Sequence, residues 1–117
     1  MGPDRAVLPA SPVPGDEPMT DNILDDFQNH VSSRWRTHGQ GEASLFIMAC
    51  GLGGEAGEVL ELLKKHVRDG KHPGESLLLE LGDLLYYLTR VGQEYGYSLP
   101  NIMAANIKKL QERDAKK

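Results

Sequence analysis

Residues 44–68 read SLFIMACGLGGEAGEVLELLKKHVR, and this stretch decides the fold because it predicts one long helix that is apolar on more than one face. Two acids inside it, Glu55 and Glu58, are three residues apart, which places both carboxylates on one side of a helix. A second pair with the same spacing, Glu80 and Asp83, follows three leucines in a later segment. Burying carboxylates is costly unless something pairs with them. A hard divalent cation such as Mg²⁺ is a natural partner for four of them.

The rest of the chain predicts three further helices and no strand. The predicted helices run from Thr20 or Asp21 to about Thr37, from a cap at Ser44 to about Arg68, from Glu75 or Ser76 to Tyr95, and from a cap at Ser98 to about Arg113. The segment Asp69–Gly74 is a loop between the second and third helices, and Gly96 suits the position that ends the third. We therefore expect an all-α fold, a four-helix bundle.

The second and third helices carry more apolar surface than a four-helix monomer would cover. We therefore expect a homo-oligomer, a homodimer or homotetramer, with helix packing between subunits. Residues 1–18 contain five of the seven prolines and predict a disordered leader. That leaves a single domain over residues 19–117.

The composition excludes several classes of protein. A net charge of −4 without a basic patch argues against a nucleic-acid partner. No stretch reaches about 18 uninterrupted apolar residues, so we expect neither a transmembrane helix nor a membrane partner. The single cysteine, Cys50, is compatible with a reducing cytoplasm and, within its apolar run, predicts a small core residue.

Three other observations bear on the two acid pairs. One such pair alone is typical of a solvated helix face, but two matched pairs on neighbouring helices favour a metal site. A di-iron or di-manganese carboxylate bundle needs Glu-x-x-His pairs, and no histidine follows a glutamate by three residues here. Glycines inside the predicted helices each cost roughly 1 kcal/mol, which suggests that they make room for a close helix or a bulky ligand. These glycines are Gly51, Gly53, Gly54, Gly57 and Gly82.

Three segments together resemble the MazG-like all-α nucleoside triphosphate pyrophosphohydrolases, a superfamily that includes dimeric dUTPases and dCTP pyrophosphatases. The segments are GLGGEAGEVLEL at 51–62, ELGDLLYYL at 80–88 and NIKKLQER at 106–113. They reproduce the order of that superfamily's pattern, ExxE, then ExxD, then NxxK. The resemblance covers roughly residues 20–113, and it implies a MazG-like bundle.

The resemblance also implies a reaction, in which an NTP or dNTP and water give the monophosphate and pyrophosphate in the house-cleaning of nucleotide pools. Glu55, Glu58, Glu80 and Asp83 would be the catalytic acids and would hold Mg²⁺, with Mn²⁺ as an alternative. A bound metal neutralises charge on phosphoryl oxygens and activates water. Many members carry a further acid where this chain has Gly54. The general base is therefore open between a ligand carboxylate, Glu61 and a water activated by the metal alone.

Seven residues are candidate substrate contacts: Trp35, His38, Lys65, Tyr87, Asn106, Lys109 and Arg113. Trp35 and His38 resemble the part of the dCTP pyrophosphatases that holds the nucleobase, although Trp35 is equally a candidate core residue. Further candidates for contacts with the base are Phe27, Gln28 and Tyr86. Asn106 and Lys109 match the NxxK segment, which contacts phosphate or sugar. A competing hypothesis is a non-catalytic helical module for nucleotide binding or dimerisation, which would be expected to lose one of the four acids.

Overall fold

The computed structural model describes residues 22–35 and 41–116. All regular secondary structure in these ranges is helical, which confirms the predicted all-α fold. The helices are α1 (Ile23–Trp35), α2 (Glu42–Asp69), α3 (Glu75–Glu94) and α4 (Leu99–Ala115). Several predictions lie outside the described residues: the leader over 1–18, the cap at Thr20 or Asp21, and the end of the first helix near Thr37.

The helices α2 and α3 form a hairpin on which the rest of the fold is built. Gly70 ends α2 with φ +72° and donates its N–H to the carbonyl of His66 at 2.9 Å. A left-handed backbone at this position suits glycine, because it has no Cβ to clash. The chain then returns along α2 as α3, while α1 packs against α3 and α4 packs against both α1 and α3.

Local sequence signals set most helix ends. Asn22 precedes α1, and its side-chain oxygen accepts a hydrogen bond from the N–H of Asp25 at 3.1 Å. The predicted cap at Ser98 is confirmed, since its hydroxyl accepts from the N–H of Asn101 and the Asn101 side chain accepts from the N–H of Ser98. Gly96 lies just beyond α3 with φ +79°, also as predicted. Such capping interactions are worth about 1 kcal/mol each.

Gln28 joins α1 to the other helices. Its side-chain oxygen accepts the N–H of Leu99 at 2.8 Å, and its backbone carbonyl accepts the side-chain amide of Gln93 at 3.0 Å. The side chain considered above as a contact to the nucleobase thus satisfies a backbone donor at the start of α4.

The prediction that Ser44 caps the second helix is wrong. The helix begins earlier, at Glu42, with Gly41 before it at φ +90°. Ser44 is buried inside the helix, where its hydroxyl accepts a hydrogen bond from the indole N–H of Trp35 at 2.8 Å. A buried indole N–H needs such an acceptor, and the resulting bond holds the end of α1 against the start of α2.

Replacing Ser44 with Ala is expected to lower the free energy of unfolding by about 1–3 kcal/mol, because it removes the acceptor of a buried donor. Urea unfolding monitored by tryptophan fluorescence measures the change. The control is Ser33→Ala, at an exposed position of α1, where we expect less than about 0.5 kcal/mol. Equal unfolding midpoints for Ser44→Ala and the parent chain would contradict this account.

The single chain leaves much of its apolar surface uncovered, as the composition of the second and third helices predicted. Phe46, Leu60 and Val67 on α2 are 70%, 67% and 88% exposed, and Leu78 on α3 is 67% exposed. The prediction that Cys50 is a core residue is wrong for this chain, because Cys50 is also exposed. The packing of α2 is mainly against α3, and Cys50 lines an open pocket along α2.

By length and composition alone, α2 is long and apolar enough to cross a membrane. The core helix of a soluble protein passes the same test, so this is weak evidence. The middle of α2 also carries Glu55 and Glu58, and ionised side chains are costly in the centre of a bilayer. The absence of a membrane-spanning helix therefore stays a prediction.

Candidate metal centre

The α2–α3 hairpin brings together three of the four predicted acids. Glu55 comes from α2, while Glu80 and Asp83 come from α3. One carboxylate oxygen from each residue lies within 4.8 Å of the others. The i,i+3 spacing puts the two α3 acids on one side of that helix, and the packing of the hairpin turns this side toward Glu55. We call these three residues the acid cluster.

The surroundings of Glu55 disfavour its ionised form. Its Oε1 atom is buried and has no hydrogen-bond partner among the described residues. The pKa of Glu55 is raised from 4.5 to about 7. The largest cause is the interaction with the Glu80 carboxyl, and burial comes second. The negative charges of Asp83, Glu80 and Glu58 contribute the rest. A hydrogen bond between Glu55 and Glu80 exists only while one of them carries a proton, because two ionised carboxylates have no donor between them.

The chemistry of the acid cluster fits a hard divalent cation. All three donors are carboxylate oxygens, which Mg²⁺ and Mn²⁺ prefer. A cation among them would supply the partner that Glu55 Oε1 lacks and would cancel the repulsion that raises the Glu55 pKa.

The fourth predicted ligand, Glu58, is not part of the acid cluster. Its side chain is exposed on α2, and its charge is the smallest of the influences on the pKa of Glu55. The role of Glu58 as a metal ligand therefore stays a prediction.

Two open pockets meet at Glu55. The first, which we call the acid pocket, has a volume of about 480 Å³ and lies between α1, α2 and α3. Its lining residues are Phe27, His30, Arg34, Glu55, Leu78, Leu79, Gly82, Asp83, Tyr86 and Tyr87. The second has a volume of about 450 Å³ and lies along α2. Its lining residues are Phe46, Ile47, Cys50, Gly51, Gly54, Glu55, Glu58 and Tyr87.

Tyr87, a predicted substrate contact, lies at the junction of the two pockets. Its ring packs against α2 at Gly51, where an added Cβ would overlap the ring. Gly51 is thus required for the close approach of α3 to α2 at Tyr87. This agrees with the interpretation that glycines inside the helices make room for a close helix. The described structure leaves open space at Gly53, Gly54, Gly57 and Gly82.

Trp35 is a core residue in the described structure. It is 2% exposed, and the Tyr87 ring meets it edge-on with centroids 6.0 Å apart. This burial agrees with the alternative in which Trp35 is a core residue. An indole that is so enclosed offers little surface for contact with a nucleobase.

Within the described residues, the structure does not bring the other predicted substrate contacts into either pocket. Lys65 is within 4.0 Å of Glu61 on the same helix. Asn106, Lys109 and Arg113 are exposed on α4. None of these four predicted residues lines either pocket, and His38 lies outside the described residues.

Sequence reasoning missed the two basic residues of the acid pocket, His30 and Arg34. Both come from α1, as does Phe27, and all three line the pocket. Their spacing of three and four residues places them on one face of α1. This spacing was the available signal, but only the packing of α1 on α3 shows what that face meets.

The model of the MazG nucleotide pyrophosphohydrolase domain matches residues 45–117, which is more than half of the chain. The Gene 37 protein of Mycobacterium phage L5 is 32% identical in an alignment of 74 residues that covers 59% of this chain and 65% of that protein. The match thus spans slightly less than two thirds of the curated relative. No solved structure matches. The matched range contains all four predicted acids, and the chain belongs to the MazG nucleotide pyrophosphohydrolase family.

Proposed function

We propose that this chain hydrolyses nucleoside triphosphates to monophosphates and pyrophosphate, with Mg²⁺ as the metal and Mn²⁺ as an alternative. The observation that carries the proposal is the acid cluster, with three carboxylates converging within 4.8 Å and one buried oxygen unpartnered. Membership of the MazG family supports the same class of reaction. We further propose house-cleaning of nucleotide pools as its role and the cytoplasm as its location, with no nucleic-acid partner.

The acid cluster and the acid pocket have different roles in this proposal. Glu55, Glu80 and Asp83 would hold the metal, with Glu58 as a proposed fourth ligand. A bound divalent cation neutralises charge that develops on the phosphoryl oxygens and makes water a better nucleophile. The ring of Tyr87, held against Gly51, forms one wall of the pocket. This wall excludes water from one side of the reacting group.

Among the candidates for the general base, a carboxylate of the acid cluster is supported better than Glu61. Glu61 is exposed and forms ion pairs with Lys64 at 3.4 Å and Lys65 at 4.0 Å. It also lines neither pocket. Glu55 and Asp83 of the acid cluster are better placed to accept a proton from the attacking water, since both line the acid pocket.

We propose that the chain works as a homo-oligomer. Phe46, Leu60 and Val67 are separated by multiples of seven residues, which returns to nearly the same side of a helix, and all three are largely exposed. Apolar surface of this kind is typical of an interface. A second copy of the same helix can cover it by symmetric packing.

Replacing Leu60 with Glu is expected to weaken self-association by about a hundredfold or more, because a charge would be buried without a partner. Light scattering after size-exclusion chromatography measures the mass of the assembly. Lys71→Glu, in the exposed loop between α2 and α3, is the control and should leave the mass unchanged. A monomeric parent chain, or an undiminished assembly with Leu60→Glu, would count against the proposed interface.

The test of the reaction is pyrophosphate release from a panel of NTPs and dNTPs with Mg²⁺ or Mn²⁺, with the nucleotide product identified by chromatography. We expect a monophosphate and pyrophosphate in equal amounts, and no release with EDTA or with Asp83→Asn. Orthophosphate with a diphosphate product would refute the assigned bond. No turnover by a folded chain would favour the non-catalytic module for nucleotide binding or dimerisation.

A further inference from the structure

A polyphosphate substrate poses a charge problem for this chain. The net charge is −4, and the acid pocket already contains Glu55 and Asp83. A metal ion held by the acid cluster offsets only part of the repulsion between these acids and an anionic substrate. The cations predicted for this task, on Lys65, Lys109 and Arg113, do not line the pocket.

The described structure places a different cation there. Arg34 lines the acid pocket from the last turn of α1. Its guanidinium carbon lies 5.8 Å from the centroid of the Tyr86 ring. Tyr86 follows Asp83 by three residues on α3, so their Cβ atoms are roughly 5–6 Å apart on one side of that helix.

His30 lines the acid pocket beside Arg34. It precedes Arg34 by four residues on α1, and its ring meets the Tyr86 ring edge-on at 5.9 Å. The two basic side chains therefore flank Tyr86 from α1, while the acids lie on α2 and α3. A phosphate chain in the pocket would have metal-binding carboxylates on one side and Arg34 on the other.

We infer that Arg34 binds the phosphate chain of the substrate, opposite the acid cluster. The inference rests on the proposed function, which it deepens by assigning the protein's own contact to the triphosphate. A guanidinium group suits this task because its N–H groups form a planar fork that binds phosphate oxygens two at a time. The contact with the Tyr86 ring leaves this task possible, because a guanidinium binds phosphate through the N–H groups at its edge.

Arg90 shows what a structural arginine looks like in this fold. It donates a hydrogen bond to Glu94 at 2.8 Å and lies over the Trp35 ring, with its guanidinium carbon 5.7 Å from the ring centroid. Arg90 does not line the acid pocket. Arg34 differs in that it shares a pocket with members of the acid cluster.

The test compares Arg34→Gln and Arg34→Lys with the parent chain. The matched control is Arg68→Gln, at an exposed arginine that pairs with Asp69 outside both pockets. We expect Arg34→Gln to raise KM for the nucleotide by about tenfold to a hundredfold with a smaller change in kcat, since charge-assisted hydrogen bonds to phosphate are lost. Arg34→Lys should fall between the two, because it keeps the charge and loses the fork.

Two binding measurements separate phosphate contact from a structural role. By calorimetry with Mg²⁺ present, inorganic tripolyphosphate should bind Arg34→Gln more weakly than it binds the parent chain. Mn²⁺ alone, measured by its paramagnetic resonance, should bind the variant as tightly as before or more tightly, because removing a positive charge cannot repel a cation. Weaker binding of both probes would show that Arg34 supports the fold, and would overturn the inference.

Failure of the inference can be told from failure of the proposed function. If the parent chain hydrolyses nucleotides and Arg34→Gln leaves KM unchanged, the inference is wrong and the proposed function stands. If the parent chain releases no pyrophosphate from any nucleotide, the proposed function is wrong. The comparison of tripolyphosphate binding then still decides the inference, which an unchanged affinity would refute.

Discussion

Replacing Glu55 with Gln is expected to reduce pyrophosphate release by about a thousandfold, which corresponds to roughly 4 kcal/mol of transition-state stabilisation. The amide keeps the shape of the side chain but removes a negative charge from the acid cluster. Among the described residues, three carboxylates converge there, so the loss of one removes a third of the charge of the acid cluster. Steady-state rates of pyrophosphate release at saturating Mg²⁺ measure the effect.

The same variant should be more stable than the parent chain when no metal is present. The Glu80 and Asp83 carboxyls, together with burial, disfavour the ionised form of Glu55, whose pKa is raised to about 7. A neutral amide avoids this repulsion, so we expect a melting temperature several degrees higher at pH values above about 7. Lost activity with gained stability is typical of a site built for function.

Glu112→Gln, at an exposed position of α4 that pairs with Lys108, is the control for both measurements. We expect it to change neither the rate nor the melting temperature appreciably, because surface ion pairs contribute little. Undiminished activity of Glu55→Gln would refute the metal role of the acid cluster. An unchanged or lower melting temperature would show that the three carboxylates do not repel one another in the folded chain.

The ends of α3 and α4 were predictable because their signals are local. Gly96 and Ser98 each act within a few residues of their own position, through a left-handed backbone and a capping box. The start of α2 was not predictable in the same way. Ser44 resembles a cap in sequence, but its hydroxyl is taken by the indole of Trp35 from another helix. Tertiary contacts of this kind override local preference.

The acids of the site could be predicted from the sequence, whereas the two basic residues of the acid pocket could not. Glu55, Glu80 and Asp83 are conspicuous because carboxylates interrupt apolar helices at a regular spacing. Arg34 and His30 lie on a polar helix, where basic residues are ordinary. The family match begins at residue 45 and does not include α1. Only the packing of α1 on α3 shows that these two residues line the same pocket as the acids.

The metal-free chain is expected to lose stability as the pH rises from about 5 to about 8, and a divalent cation should reverse that loss. The pKa of Glu55 is raised from 4.5 to about 7 in the folded chain, so folding favours its protonated form. The stability from this group is fully present below pH 4.5 and is lost as the pH rises through about 7. Arg68 holds the pKa of Asp69 below 3.8, so the stability from Asp69 is lost as the pH falls. That loss occurs below the pH range considered for Glu55.

The size of the effect follows from linkage between proton binding and folding. A rise in pKa from 4.5 to about 7 corresponds to roughly 1–3 kcal/mol of stability for a partly buried group, or several degrees in melting temperature. Mg²⁺ binds only the ionised carboxylates, so its stabilising effect should be large near pH 8 and nearly absent near pH 5. Melting curves with EDTA and with excess Mg²⁺ across this range measure both trends.

Glu55→Gln provides the control for the pH dependence, because an amide does not titrate. Its metal-free melting temperature should vary less between about pH 5 and about pH 8 than that of the parent chain, and Mg²⁺ should stabilise it less. If the melting temperature of Glu55→Gln depended on pH as steeply as that of the parent chain, the titrating group would be a residue other than Glu55. A parent chain that became more stable as the pH rose would have the opposite sign, and would mean that Glu55 is not held in its neutral form by Glu80 and Asp83.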